Sequence, residues 1–454
     1  NIAIGNYVLD ANQTGTSNVG IGHNTLTTAT VAIQNTAVGS NSLQNLLNSH
    51  YNTAVGNNSG YATTGSQNTL IGQGAGQNTT SISNSVAVGF SALKGDGTTA
   101  PTGDHNTAIG AYALGKVTTG NKNIAIGNYA LEDSNAAAET VAIGYSALAN
   151  ISDNYYNVAV GSNAGANIVG TSNILIGNRA GQYAGDADYC VAIGREAMQG
   201  ASFTDSTQAS AISSGTTITM DGANANILVG MAVTGSNIKP GTYVTTVASA
   251  SANPQVFVIN QAVAGTVAGG TTLTFYGASG NDNVAIGGYA LNAVSTGYSN
   301  VAIGRNAGSG LTDNYHNIVI GSQAMDAANT GEHFNIAIGS DALGSESSGA
   351  DGCVAIGYNA LEDQNIDEAQ NTAIGFQAAK NLDDGKQNVF IGYNAAGTGV
   401  VTSDANVAIG VNAALNATTM SYSVFVGPNA GGNGVIQGAS NTVIGSAAGN
   451  DLTT

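Results

Sequence analysis

The stretch Gly72-Gln73-Gly74-Ala75-Gly76 has the glycine spacing of a loop that cradles phosphate on backbone N–H groups. Such a loop has to open a helix. No helical periodicity follows, and the run sits inside a sequence repeat, so a nucleotide site is not expected. Five histidines, His23, His50, His105, His316 and His333, could ligate a metal, but they fall in different repeats at differing phases, with no pair at ligand spacing. A GxSxG nucleophile turn is absent. Glu362, Asp363, Asp367 and Glu368 share one connecting segment, with Asp383 and Asp384 in the next. Calcium needs about 6–8 oxygen ligands, and the GGxGxD nonapeptide of calcium-binding β-rolls does not recur, so these acids read as solvated turns. The pairs Tyr155-Tyr156 (after Asp153-Asn154) and Tyr315-His316 (after Asp313-Asn314) could stack on a sugar; exposed turn aromatics are the plainer reading. No catalytic residue, cofactor or metal site is therefore expected, and an enzyme would need a surface carboxylate pair about 5–9.5 Å apart.

What does organise the chain is a repeat whose glycine recurs at Gly5, Gly22 and onward to Gly445, 22 copies in all. Successive copies lie 16 to 18 residues apart, except for steps of 21 (Gly89 to Gly110) and 93 (Gly194 to Gly287). Such a period marks a repeat architecture. The residue before the glycine is Ile or Val in all 22 copies, and the residue two earlier is Val, Ile or Thr. β-Branched residues at alternate places mean a short strand. A strand this short cannot bury a face alone, so the copies must stack as coils of a parallel β-solenoid, a β-roll or β-helix of about 17-residue coils. At about 4.8 Å per coil, 22 coils predict a rod on the order of 100 Å long.

Three further places are constrained. Four before the glycine stands Asn in 17 copies, including Asn18, Asn35, Asn123, Asn157, Asn300, Asn335 and Asn388; Ser85, Thr140, Cys190, Cys353 and Ser423 fill the rest. These residues are expected to form a ladder that satisfies backbone groups at a corner water cannot reach. Ile126, Gly127, Ala130, Ile303 and Gly304 are expected to form the structural core, the glycine allowing a backbone conformation that a Cβ would hinder. Two before the glycine, opposite the Ile/Val row, stands Ala in 15 copies and never a polar side chain. With both strand faces apolar, one face is expected inside the coil and the other against a second copy of the chain. The alternative is a flat coil whose other wall covers that face.

Composition agrees. Gly 64, Pro 4, no Trp and 8% charged residues suit small stacked coils, and 42% hydrophobic residues is too many for disorder. No apolar run is long enough to span a membrane. A net charge of −18 with nine scattered basic residues argues against nucleic acid. Cys190 and Cys353 occupy the ladder place about five coils apart, roughly 24 Å at the coil spacing, too far to pair with each other, and read as buried thiols. Residues 1–200 and 281–454 read as solenoid. The interval 201–280 reads as one inserted small β domain, with strands expected at 216–220, 243–247, 255–259 and 271–275. The segment 94–101 reads as a projecting loop. The chain opens inside a repeat and ends just after one, as a slice of a longer protein would, with no signal peptide ahead of the first copy.

Units such as Asn300-Val301-Ala302-Ile303-Gly304 with Ala307, and Asn106-Thr107-Ala108-Ile109-Gly110 with Ala113-Leu114, resemble two related groups. One is the head repeat of trimeric autotransporter adhesins; the other is phage virion proteins, tail fibres especially, with strings of NTAIGxxAL. The stretch from Val229 to Gly241 is similar to a β module that recurs in phage structural proteins. The resemblance implies a left-handed roll, three chains side by side and a host-attachment role on a surface glycan or protein receptor, in a virion or at a cell surface. The adhesin coil is shorter than the 17–18 residues here, and a chaperone, a membrane barrel and a coiled-coil stalk are not visible. The reading that results is a structural segment of a homotrimeric phage fibre. A bacterial surface adhesin or extracellular filament is the alternative, to be told apart by a signal and a terminal barrel in the full gene.

Overall fold

The computed structural model describes the chain apart from residues 98–101, 152–154, 201, 207–214, 221–226, 228–230, 240–241, 248–255, 269, 278–279, 328–330, 346–350, 364–368, 399–403, 435 and 453–454. The protein is all-β, a parallel β-solenoid of about 17-residue coils with smaller inserted sheets. It divides into two compact units, Asn1–Asp188 with Ser202–Ala278, and Tyr189–Ala201 with Ser279–Thr454.

In the first unit, strands from Ile2–Asn6 to Ile174–Ile176 stack in sequence order, all parallel. Register is strict: Ile124, Ala125 and Ile126 lie beside Val141, Ala142 and Ile143, so each side chain meets its equivalent one coil away. The three-residue strands end at the glycine. Gly127 adopts φ +135, and a Cβ built there would lie 2.4 Å from the Gly144 carbonyl oxygen, so only glycine allows the coils to close to strand spacing. Two left-handed residues then turn the chain, Tyr129 at φ 61 and Leu131 at φ 52. Leu131 is fully buried; its packing holds a backbone conformation that costs a non-glycine residue about 1–3 kcal/mol. Backbone bonds continue from coil to coil beyond the strand, with Leu131 N–H donating to Ala147 O (3.0 Å) and Asp133 N–H to Ala149 O (2.9 Å).

The same unit carries two antiparallel three-stranded sheets. Thr272–Tyr276 lies between Ser202–Ser206 and Ala232–Thr234; Val256–Ile259 lies between Thr217–Thr219 and Val244–Val247. Their apolar faces meet in one core, where Phe257 and Phe275 pack edge to face at 5.4 Å. The four strands read from the sequence are present within a residue or two. Ser202–Ser206 and Ala232–Thr234 were not anticipated. Part of the 94–101 loop and part of the 229–241 stretch lie outside the described residues.

In the second unit, Val191–Ile193 pairs directly with Val284–Ile286, Val191 beside Val284. The 93-residue step is thus bridged with no break in coil register. The ladder then runs to Thr442–Ile444, and Thr419–Ser421 pairs with Gln437–Ala439 in a second parallel sheet.

One expectation is corrected. Ala125, Ala142 and their equivalents in every coil but the first and last are fully buried, while Ile303 keeps 36% of its surface exposed and Ile126 is half-buried. The alanine row faces the interior, where the Leu131-type side chains of the other wall cover it, and Ile126 and Ile303 face out. Ala130 is buried as expected, and Gly127 and Gly304 are half-buried.

Candidate functional site

Asn18, Asn35, Asn123, Asn157, Asn300, Asn335 and Asn388 are all fully buried. Each Oδ1 accepts the backbone N–H at the same place one coil on: Asn35 N–H donates to Asn18 Oδ1 (3.0 Å), Thr140 to Asn123 (3.1 Å), Asn173 to Asn157 (3.0 Å) and Cys353 to Asn335 (2.8 Å). The Nδ2 donates to a carbonyl of the following coil, as from Asn300 to Asn314 O (2.8 Å), and often to the preceding Asn as well, as from Asn388 to Asn371 Oδ1 (3.1 Å). A hydroxyl can replace the acceptor, Asn106 N–H donating to Ser85 Oγ at 3.2 Å. Cys190 and Cys353 are buried free thiols, and the Cys190 Sγ–H donates to Gly280 O at 3.1 Å.

A second acceptor row lies six before the glycine. His50 Nδ1 accepts from Ile33 N–H (3.0 Å), Asp104 Oδ1 from Ser83 N–H (2.7 Å), His333 Nδ1 from Tyr315 N–H (3.3 Å) and Asp404 Oδ1 from Lys386 N–H (2.8 Å). Accepting at Nδ1 puts the ring proton of neutral His50 and His333 on Nε2. Sequence reasoning missed this row because Ser, Asp and His look unrelated; the signal was their shared phase.

The outside of the coil carries three kinds of feature. Ile109, Ile124, Ile174 and Ile176 in the first unit, and Ile286, Ile303, Ile318 and Ile409 in the second, each expose 36–41% of their surface. Aromatic rings stack between coils: Phe90, Tyr112, Tyr129 and Tyr145 form a series, with Tyr112 and Tyr129 parallel at 5.4 Å, and Tyr358, Phe376 and Tyr393 form another. Tyr315 stacks between Tyr298 (5.0 Å) and His333 (3.7 Å), and His316 stacks on Phe334 (5.3 Å). Tyr155 and Tyr156 are tilted at 6.3 Å, while Asp153 and Asn154 lie outside the described residues. Ion pairs also cross coils, Lys122 to Glu139 (2.8 Å) and Lys380 to Glu362 (3.1 Å), besides Lys116 to Asp133.

Of the acids from Glu362 to Asp384, Asp363 has Glu362 beside it and Asp383 near enough to act on its charge. Glu362 pairs with Lys380, and Asp367 and Glu368 lie outside the described residues. Burial, with the neighbouring Glu362 carboxylate, raises the Asp363 pKa. Burial also raises that of Glu132, helped by Asp133 and opposed by Lys116. Among the described residues no three His, Cys, Asp or Glu side chains are placed to hold a metal ion, and no helix is long and apolar enough to cross a membrane. What the surface offers is rows that repeat from coil to coil: exposed isoleucines, stacked aromatic rings and cross-coil ion pairs. Compared with known proteins, the chain matches no family model, no curated protein and no solved structure.

Proposed function

We propose that this chain is a structural segment of a homotrimeric fibre, in a phage tail fibre or related virion appendage, which carries host-attachment surfaces and performs no catalysis in this span. The β-solenoid construction suits a fibrous scaffold. The observation that carries the proposal is the outward isoleucine rows. Fully burying an isoleucine stabilises by about 1.5–3 kcal/mol, so one left 40% exposed holds back about 0.6–1.2 kcal/mol. The four named in each unit, besides Ile71 in the first, hold back about 2.4–5 kcal/mol there, on a flat parallel face of the kind that proteins cover. A second and third copy of the same face, in the same register, are the simplest cover, and the number three follows the resemblance of the NxAIG units.

Sedimentation equilibrium and light scattering of residues 1–454 test this. The expected mass is three times that of the chain, falling to one for a variant with Ile126→Asp and Ile303→Asp that keeps its β circular dichroism. A wild-type monomer at micromolar concentration overturns the trimer. Antibody raised against the chain should label virion appendages; labelling of the bacterial envelope instead overturns the virion assignment.

A further inference from the structure

On the flank of the first unit, past the central glycines, the chain forms an open groove of about 320 Å³. Its floor is Ala149 and Ala166, equivalent residues of adjacent coils, 7% and 3% exposed. At the same place the coils on either side carry Glu132 and Gln182, which wall the two ends. Elsewhere in the first unit this place holds no alanine, so the depression comes from two small side chains in succession. Tyr145, 55% exposed, stands on one side with Tyr129 behind it, the two rings meeting edge to face at 5.9 Å. Asn150 and Asn167 stand opposite, and Asn150 Nδ2 donates to Asn167 Oδ1 at 2.9 Å, which fixes both amide planes.

We propose that this groove binds a neutral oligosaccharide, with a pyranose ring stacked on Tyr145 and its neighbour held by the Glu132, Asn150, Asn167 and Gln182 side chains. From Glu132 to Gln182 is three coil steps, about 14 Å at the strand spacing, which admits two linked rings. Planar amides and a carboxylate offer paired donors and acceptors that match vicinal hydroxyls, and an aromatic face accepts the apolar C–H face of a sugar. The class is set by what lines the groove. Glu132, its one charged side chain, is acidic, which disfavours sugar acids and phosphates. A peptide would use an unpaired strand edge or a deep apolar pocket, and this groove offers neither.

The proposal deepens the attachment reading and rests on it for a role, but its site lies on the flank and not on the isoleucine rows, so the mass measurement can fail while this one succeeds, and the reverse. The test is calorimetry and saturation-transfer NMR of the full chain with cellotetraose, chitotetraose and maltotetraose. At least one should bind, with a Kd of about 1 mM. Tyr145→Ala and Ala149→Gln, the latter filling the floor, should each weaken binding tenfold or more, and Tyr358→Ala in the second unit should leave it unchanged. No binding of any of the three at about 10 mM, or binding that survives both groove substitutions, overturns the proposal.

Discussion

Replacing Asn35 by Ala removes one rung of the buried amide ladder. Asn35 Oδ1 accepts Asn52 N–H at 2.9 Å, and Asn35 Nδ2 donates to Ser49 O at 3.0 Å. Asn52 Nδ2 keeps Gly65 O (3.0 Å), and Asn35 N–H keeps Asn18 Oδ1. The alanine variant therefore strands two groups, the Asn52 N–H and the Ser49 carbonyl, where water has no access. Each stranded group costs about 1–3 kcal/mol, together about 2–6. Serine provides the internal control. By the geometry of Ser85, which accepts from Asn106 N–H and donates to Ser83 O, Asn35→Ser still accepts from Asn52 N–H and strands only the Ser49 carbonyl, costing about 1–3 kcal/mol. A solenoid opens coil by coil, so global melting is a poor reporter and hydrogen exchange by mass spectrometry is the assay. In peptides covering 33–55, protection should fall about 30-fold to more than 10⁴-fold for Ala and about 5- to 150-fold for Ser. Asn57→Ala, an exposed amide with one long bond of 3.4 Å, should change it less than about threefold. Equal effects of Ala and Ser, or a fall below tenfold for Ala, would refute the ladder as a stabilising device.

Other substitutions test other parts of the coil. Gly127→Ala, whose Cβ would sit 2.4 Å from Gly144 O, should lower the thermal midpoint and abolish protection in the two adjoining coils; Gly331→Ala, with nothing within 4 Å at φ +90, should cost only the backbone strain of about 1–3 kcal/mol. Ala125→Asp should unfold several coils, because an unpaired charge enters the interior, whereas Ile126→Asp should leave the single chain folded; equal losses by circular dichroism would contradict the inward alanine row. Leu70→Ala should cost about 2–5 kcal/mol, and Gly76→Leu should be unstable because a Cβ at Gly76 lies 3.0 Å from the Leu70 side chain; together they should recover most of the loss, and additive losses in a double-mutant cycle would refute the pairing. For Glu132 the folded pKa lies above its ordinary value, so the folded state binds the extra proton, and stability falls as pH rises through the folded pKa. Glu132→Gln should remove that fall, so its melting advantage at pH 7 should vanish below about pH 4.

The strand, the stacking and the amide ladder were legible because each depends on one side-chain property repeated at one phase. β-Branching before Gly127 gives the strand, the glycine gives close approach, and an amide that both donates and accepts gives the rung at Asn123. The direction of the faces was not legible. Both Ala125 and Ile126 are apolar, and alternation alone cannot tell inside from outside when neither face is polar. What decides it is Leu131, which turns inward because its backbone is left-handed, a conformation no propensity predicts for leucine. Ser202–Ser206 was hidden for another reason: its sequence carries no alternating apolar face, and it becomes a strand by pairing with Thr272–Tyr276 far along the chain. The sugar groove depends on Ala149 and Ala166 falling in adjacent coils, which only the register reveals.

The interior also constrains what the outside is for. The place two before the glycine and the place four after it share one narrow space; in several coils their volumes trade, and where both are small, as at Ala54 with Gly60 and Ala159 with Gly165, leucines of the adjacent coils fill in, a Cβ at Gly60 meeting Leu43 and Leu70 at 2.8 Å and one at Gly165 meeting Leu148 and Leu175 at 2.7 Å. Ala125 goes with Leu131, whereas Leu70 goes with Gly76, Leu175 with Gly181 and Phe425 with Gly431; added Cβ atoms at those three glycines would lie 3.0, 2.7 and 2.8 Å from the large partner. Gly20, the smallest inward residue, goes with Leu26. The core is thus filled by the two walls of successive coils at close packing and makes no demand on the outward residues. Strand preference alone would accept Val, Ile or Thr at both outward places. The place three before the glycine does accept Thr, as at Thr36, Thr53, Thr69, Thr107, Thr372 and Thr442, but the place next to the glycine carries only Ile or Val in all 22 copies. A hydroxyl facing water would be harmless at either place. Its exclusion from one row alone is what a dry contact centred on that row requires, so in the proposed trimer Ile126 and its equivalents lie nearest the axis, with the Thr-bearing row at the rim.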